Sequence, residues 1–193
     1  MKYLTLILLL IFISCKNESK TKAEKETETP IETETENKID ESVSEMWNSY
    51  IESNPKSKDD ETPESDFFHN NREDANRLAE LTLIGKKKAT SSLFSLYEQY
   101  GIDLPKVGTK QIVTDYEGKA KAIIENISVD TIPFNKISTA YAELDMGTDV
   151  DPLEKWKKAH WDFFESFLKE SGEKPTDEML MVCVRFETIW PEN

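Results

Sequence analysis

The stretch Leu81-Thr82-Leu83-Ile84-Gly85-Lys86-Lys87-Lys88-Ala89-Thr90-Ser91-Ser92-Leu93 decides how the rest of the chain is read, because it closes one helix, gathers three lysines and runs straight into hydroxyl side chains. Just upstream, Asn71 is a natural helix cap, with Glu73 and Asp74 in the first turn where the positive end of the macrodipole favours acids. Ala75, Leu78, Ala79 and Leu83 recur at helical spacing and predict a buried stripe, with Gly85 as the C-cap. Cations suit the C-terminal end of a helix, so Lys86, Lys87 and Lys88 read on their own as a solvated turn. Thr90 is expected to cap a third, short helix that carries Leu93, Leu96, Tyr97 and Tyr100 on one side and stops at Gly101.

Outward from this stretch, Ser42-Val43-Ser44-Glu45 has the form of a capping box, and Met46, Trp47, Tyr50 and Ile51 follow at helical spacing. Residues 54–64 are polar, with two prolines, and predict a long loop. On the C-terminal side, Lys110 to Thr114 and Ala120 to Val129 flank a turn at Glu117-Gly118 and predict a hairpin. Phe134 to Ala142 predicts a short helix. Asp151-Pro152-Leu153-Glu154 announces a longer one with the aromatic face Leu153, Trp156, His160, Phe163, Phe164 and Phe167, closed by Gly172. A last strand from about Met179 to Trp190 is apolar on both faces in its first half and is therefore buried. Helices and strands mix without strict alternation, which makes the class α+β.

The N-terminus is built differently. Met1-Lys2-Tyr3 precedes an unbroken apolar run from Leu4 to Ile13, about half the roughly 20 residues that a membrane span needs, so it reads as a signal peptide. Phe12-Ile13-Ser14-Cys15 resembles the lipobox of bacterial lipoproteins, which implies residues 1–14 as the signal and Cys15 as a lipidated membrane anchor. Lys16, where an inner-membrane retention signal typically has Asp, points to an outer-membrane lipoprotein on the periplasmic or surface-facing side of the cell envelope. Residues 15–41 are Lys, Glu, Thr and Ser with almost nothing to bury, and predict a disordered tether. One domain, 42–193, remains. It holds 29 Asp and Glu against 18 Lys and Arg, a net 18 − 29 = −11, which argues against charge-driven binding of long nucleic acid. With Cys15 lipidated, Cys183 has no disulfide partner; it lies in an apolar run with no His or Lys beside it and reads as a small buried hydrophobe.

Four segments together resemble the ASCH domain family: the opening stretch, Leu104-Pro105-Lys106-Val107-Gly108, Leu153-Glu154-Lys155-Trp156 with His160-Trp161-Asp162-Phe163-Phe164, and Val182-Cys183-Val184-Arg185-Phe186-Glu187. The resemblance runs from about Met46 to Trp190. It implies a PUA-like fold, a small open β-barrel flanked by helices, in a superfamily associated with RNA and modified nucleosides. Some ASCH proteins resemble amidohydrolases of acylated cytidine, or ribonucleases. Where the family has Lys-Thr-Ala-Thr, this chain has Lys87-Lys88-Ala89-Thr90, and a family Glu corresponds to Asp145 in Asp145-Met146-Gly147-Thr148-Asp149. Phe67-Phe68-His69-Asn70 lacks the usual Phe-Gly-Asp.

The resemblance implies three catalytic candidates: Lys87 as base, Thr90 as nucleophile and Asp145 as the orienting carboxylate. A hydroxyl needs such a base, and lysine serves only when its pKa is lowered, a direction in which Lys86 and Lys88 push Lys87. Asp145 is one methylene shorter than Glu, which predicts a carboxylate that falls short of its place. Candidate ligand-binding residues are Lys86, Lys88, Ser91, His160 and Arg185, the last either holding a phosphate or carboxylate or paired with Glu187 or another acid. His160 lies on an aromatic face and reads equally as a packing residue, as do Trp47, Trp156 and Trp161, whose alternative is to stack on a base. His69 and His160 stand at no metal-ligand spacing, so no metal or cofactor is expected. The expected partner is a small nucleotide-like ligand or short RNA, bound by a monomer. An amide-bond hydrolase and a protein-interaction scaffold are the alternatives.

Overall fold

The computed structural model describes residues 40–191. The predicted signal peptide, Cys15 and nearly all of the tether lie outside the described residues. The first helix starts earlier than expected, because Asp40, and not Ser42, caps α1 (Glu41–Ser53): its carboxylate accepts from the Ser42 N–H at 3.0 Å. The order continues with β1 (Ser65–Asp66), α2 (Arg72–Leu83), β2 (Ala89–Leu93), α3 (Phe94–Tyr100), β3 (Lys110–Thr114), β4 (Ala120–Pro133), α4 (Thr139–Met146), α5 (Pro152–Ser171) and β5 (Leu180–Trp190). Asn71 caps α2 as expected, and the predicted hairpin is β3–β4. Among the described residues no helix is long and apolar enough to cross a membrane.

The five strands form one sheet in the order β1-β3-β4-β5-β2, antiparallel except for β1 against β3. Irregularities in the β4–β5 register between Ile123 and Ile124 and between Asn126 and Ser128 let the long β4 bend, since a bulge adds local twist. The ladder does not close, so β1 and β2 remain edges. Side chains alternate across it as the period of two demands. Ile112 and Ile123 pack with Val43, Trp47 and Tyr50 of α1, whereas Val113, Ile124 and Phe186 pack with Ala79 of α2 and with Phe68. Ala89, Leu93, Met181 and Cys183 face the largest cluster, with Tyr141 and Ala142 of α4 and Trp156, Phe164 and Leu168 of α5. The edge strand β2 therefore lies where α2, α4 and α5 come together. Trp47 and Trp156 are buried in these clusters and Trp161 packs against Phe134, as the packing alternative predicted.

Two expectations about the candidate site residues are corrected. Thr90 caps no helix; it sits in β2, opposite Val184, and α3 starts only after Leu93. The helix expected over Phe134 to Ala142 runs instead from Thr139 to Met146, so Asp145 lies in the last turn of α4, which Ser138 caps and Gly147 ends.

Candidate functional site

The site begins with the way α2 stops. Gly85 takes a left-handed conformation, and the Lys86 and Lys87 N–H groups both turn back to the Leu81 carbonyl, at 2.8 and 3.0 Å. The turn then crosses the C-terminus of α4, where the Lys88 N–H donates to the Leu144 carbonyl at 2.8 Å. Gly147 permits this crossing. Its φ is +63°, and a Cβ there would lie 3.4 Å from the Lys87 nitrogen and 3.2 Å from Leu81 Cδ1.

Lys87 is carried inward by this crossing and is only 3% exposed. Its ammonium donates to Asp145 Oδ1 at 2.6 Å, to the Asp145 carbonyl at 2.8 Å and to the Ala89 carbonyl at 2.7 Å. Three hydrogens thus meet three acceptors, one of them a carbonyl that the end of α4 would otherwise leave bare. The Phe68 ring lies 4.8 Å from the ammonium. The shorter acid does not fall short: the backbone of α4 itself comes within hydrogen-bond distance of Lys87. Asp145 Oδ2 accepts from Ser91 Oγ at 2.6 Å and from Trp156 Nε1 at 2.8 Å. Burial, the largest single influence, would raise the Asp145 carboxyl; the Lys87 ammonium, His160 and the hydrogen bonds from Lys87 and Ser91 together outweigh it and hold the group below its ordinary value, ionised. Tyr141 adds a second layer, its hydroxyl donating to the Thr90 carbonyl at 2.7 Å and lying 3.0 Å from Ser91 Oγ.

Above this network is a cavity of about 160 Å³ between α2 and α5. Lys87, Thr90, Ser91 and Asp145 line its floor, and Phe68, Leu78, Met146 and Phe163 give it apolar walls. Thr90 Oγ1 makes no hydrogen bond among the described residues, Lys87 included, and lines the open space. His160 closes one side. Its Nδ1 is 2.9 Å from the Trp156 carbonyl and its ring stacks on the Trp156 indole at 4.2 Å. Burial pulls the imidazole below its ordinary value, against the opposing effect of Asp145, so the ring is neutral at pH 7. At the rim Arg77 donates to Asp74 at 2.7 Å, and His69, in a left-handed conformation, packs on Phe163 at 4.9 Å.

Of the residues proposed from sequence, Lys87, Thr90, Ser91, Asp145 and His160 meet at this cavity. The others do not. Lys86 and Lys88 are exposed and line a separate polar groove with Glu143 and Asp149. Arg185 is paired with another acid, as one alternative had it: its Nη1 lies 3.3 Å from Asp130 and 3.4 Å from Ser128, with the guanidinium over the Tyr141 ring at 5.0 Å. Cys183 is buried, and burial pushes its thiol up to about 11. Among the described residues no group of three His, Cys, Asp or Glu side chains gathers as metal ligands would.

Tyr141, Phe68, His69 and Arg77 were not read as binding or catalytic residues, and Trp156 was weighed only as packing or as a base-stacking ring. For Trp156 the signal was present, because a buried indole N–H needs an acceptor; for the other four no local pattern marks the role.

The ASCH domain model matches residues 64–190, which span the whole of this constellation. No curated protein matches the chain. Two solved structures are similar: an ASCH domain from Lactobacillus crispatus, 31% identical, with a TM-score of 0.71 over 79% of this chain and 96% of that one; and a protein from Enterococcus faecalis, 30% identical, with a TM-score of 0.69 over 77% and 88%.

Proposed function

Since the chain belongs to the ASCH domain family, we propose that its domain binds a small, planar, nucleotide-like ligand in the cavity over the Lys87–Asp145 pair. The observation that carries this reading is the contrast within that cavity. Its floor is a buried ion pair whose hydrogen bonds are already spent, while the Thr90 hydroxyl beside it is left open to a guest. Drug-sized ligands occupy about 300–1,000 Å³, so a cavity of about 160 Å³ suits one ring between Phe68 and Phe163, with the remainder of the molecule at the mouth near Arg77. Calorimetric titration of the protein with ribonucleosides and their monophosphates tests it. Saturable binding that weakens about tenfold in Thr90→Val is expected, the size of one lost hydrogen bond to a ligand. Absence of saturation, or an unchanged affinity in the variant, contradicts it.

An amide-bond hydrolase is the second reading, favoured by the same open hydroxyl. Against it stands Lys87, whose ammonium is held on three acceptors and must lose a proton before it can serve as a base. Turnover of N-acylated nucleosides that vanishes in Thr90→Val while binding persists would favour the hydrolase. A scaffold of the cell envelope would be indifferent to the substitution. A lipid anchor at Cys15 would place the domain at the outer membrane, and Cys15→Ser should then release it to the soluble fraction.

A further inference from the structure

The cavity's polar groups differ in whether they can give or take a hydrogen. Lys87 has no hydrogen to offer, and Ser91 and Trp156 have given theirs to Asp145. Asp145 Oδ2 in turn already accepts twice, and its residue is 3% exposed. The Thr90 hydroxyl can act as donor or acceptor and so selects nothing. At the rim, the Asp74 carboxylate already accepts from Arg77 on Oδ1 and from Asn71 on Oδ2, and Arg77 can only donate, so it cannot reward an amino group.

His160 is different. The atom 2.9 Å from its Nδ1 is the Trp156 carbonyl, which can only accept, so the ring hydrogen sits on Nδ1. Stacking on Trp156 at 4.2 Å fixes the plane of the ring. Nε2 is then a bare lone pair. Its nearest charged neighbour, Asp145 Oδ2, lies 3.6 Å away, too far for a hydrogen bond, and has no proton to give it. Among the described residues no buried side-chain atom lacks a partner, so Nε2 is still open to solvent in the empty cavity; a guest that covers it must supply a donor or leave it unpaired, which is costly.

We propose that His160 Nε2 is the atom that reads the ligand, and that it selects a heterocycle presenting an exocyclic amino group over the same ring without one. This rests on the cavity being the binding site. A site built to accept a hydrogen rejects an analogue that lacks it, because its own acceptor is then left unpaired.

Two nucleoside pairs differ in that group alone: cytidine against pyrimidin-2-one riboside, and adenosine against purine riboside. Titrated into the protein, the amino member of at least one pair should bind about tenfold tighter or more. In His160→Phe, which keeps a ring to stack on Trp156, that preference should shrink to about one while both members still bind. Equal affinities in the unsubstituted protein, or a preference that survives His160→Phe, overturn the proposal and leave the binding reading standing. Absence of binding by all four nucleosides removes both. The imidazole ¹⁵N shifts of His160 give a check that needs neither ligand nor variant: an unprotonated Nε2 is expected, and a proton on Nε2 with a bare Nδ1 overturns the assignment.

Discussion

Lys87 and Asp145 are each 3% exposed and 2.6 Å apart, a distance at which neither can be removed without leaving the other's charge buried and unpaired. Breaking such a pair from one side costs about 3–5 kcal/mol, whereas replacing both members with apolar side chains of similar volume is often close to neutral. Lys87→Met should therefore lower the free energy of unfolding in urea by about that amount, and Lys87→Met with Asp145→Leu should recover most of it. A loss in the double variant equal to the sum of the losses in Lys87→Met and Asp145→Leu would show that the pair is not coupled. The pH dependence follows from the same atoms. Asp145 is held below its ordinary value of 3.8, so its stabilisation is complete above that pH and disappears as pH falls through the lower folded value. His160 is likewise held below its ordinary 6.5; the unfolded chain takes up that proton first, and stability declines as pH falls through about 6.5 until the folded ring also protonates. Urea unfolding followed from pH 8 downward should show both limbs. His160→Phe should lack the upper one, and in the double variant at Lys87 and Asp145 the lower one should shrink to what Asp74 and Asp40, also held below their ordinary values, contribute. At this scale the sequence was informative where residues sit on one regular element, as with His160 and Trp156 four apart on α5. It was silent about Tyr141, whose role arises from contacts with Thr90 and Ser91 far along the chain.

Among the elements, β2 was the hardest to foresee. Ala89-Thr90-Ser91-Ser92-Leu93 has neither the β-branched run nor the aromatic content that marks a strand, and becomes one through its pairing with the apolar β5, Thr90 against Val184 and Ser92 against Val182. That pairing turns Ala89 and Ser91 toward α4 and α5, leaving Thr90 to open onto the α2 side. The β3–β4 hairpin, by contrast, was plain in the sequence, because a Gly turn separates two runs rich in β-branched residues. Asp145 fell beyond the end of the expected helix because Pro133 and a short 3-10 turn at Phe134–Lys136 delay that helix, which begins only after Ser138 and runs on to Met146. The end of α4 and the lysine turn meet at Gly147. Gly147→Ala places a Cβ at positive φ against the Lys87 backbone, and should cost about 1–2 kcal/mol from the left-handed conformation alone. If the turn moves to make room, Lys87 leaves Asp145, and nucleoside binding should fall together with stability. A variant that loses neither would mean that the crossing is looser than described.

The whole domain joins a conventional sheet core to one polar site placed where an edge strand, two helices and a helix-ending turn converge. The sheet carries α1, α4 and α5 on one face and α2 on the other, so the cavity over Lys87 forms only when the tertiary structure is complete. That is why family motifs could nominate Lys87, Thr90 and Asp145, while Arg185, nominated with them, proves to belong to a surface pair with Asp130. The formal charge of −14 fits a ligand held by shape and hydrogen bonds better than a long polyanion, whose affinity would come from neutralised phosphates. The central claim is that this cavity is where a small heterocyclic ligand binds. Backbone amide shifts, recorded while a ribonucleoside is titrated into ¹⁵N-labelled protein, test it most directly. Saturable changes confined to Thr90, Ser91, Met146, His160, Phe163 and their neighbours are the predicted result; changes centred on Arg185 and Asp130, or none at all, would contradict it.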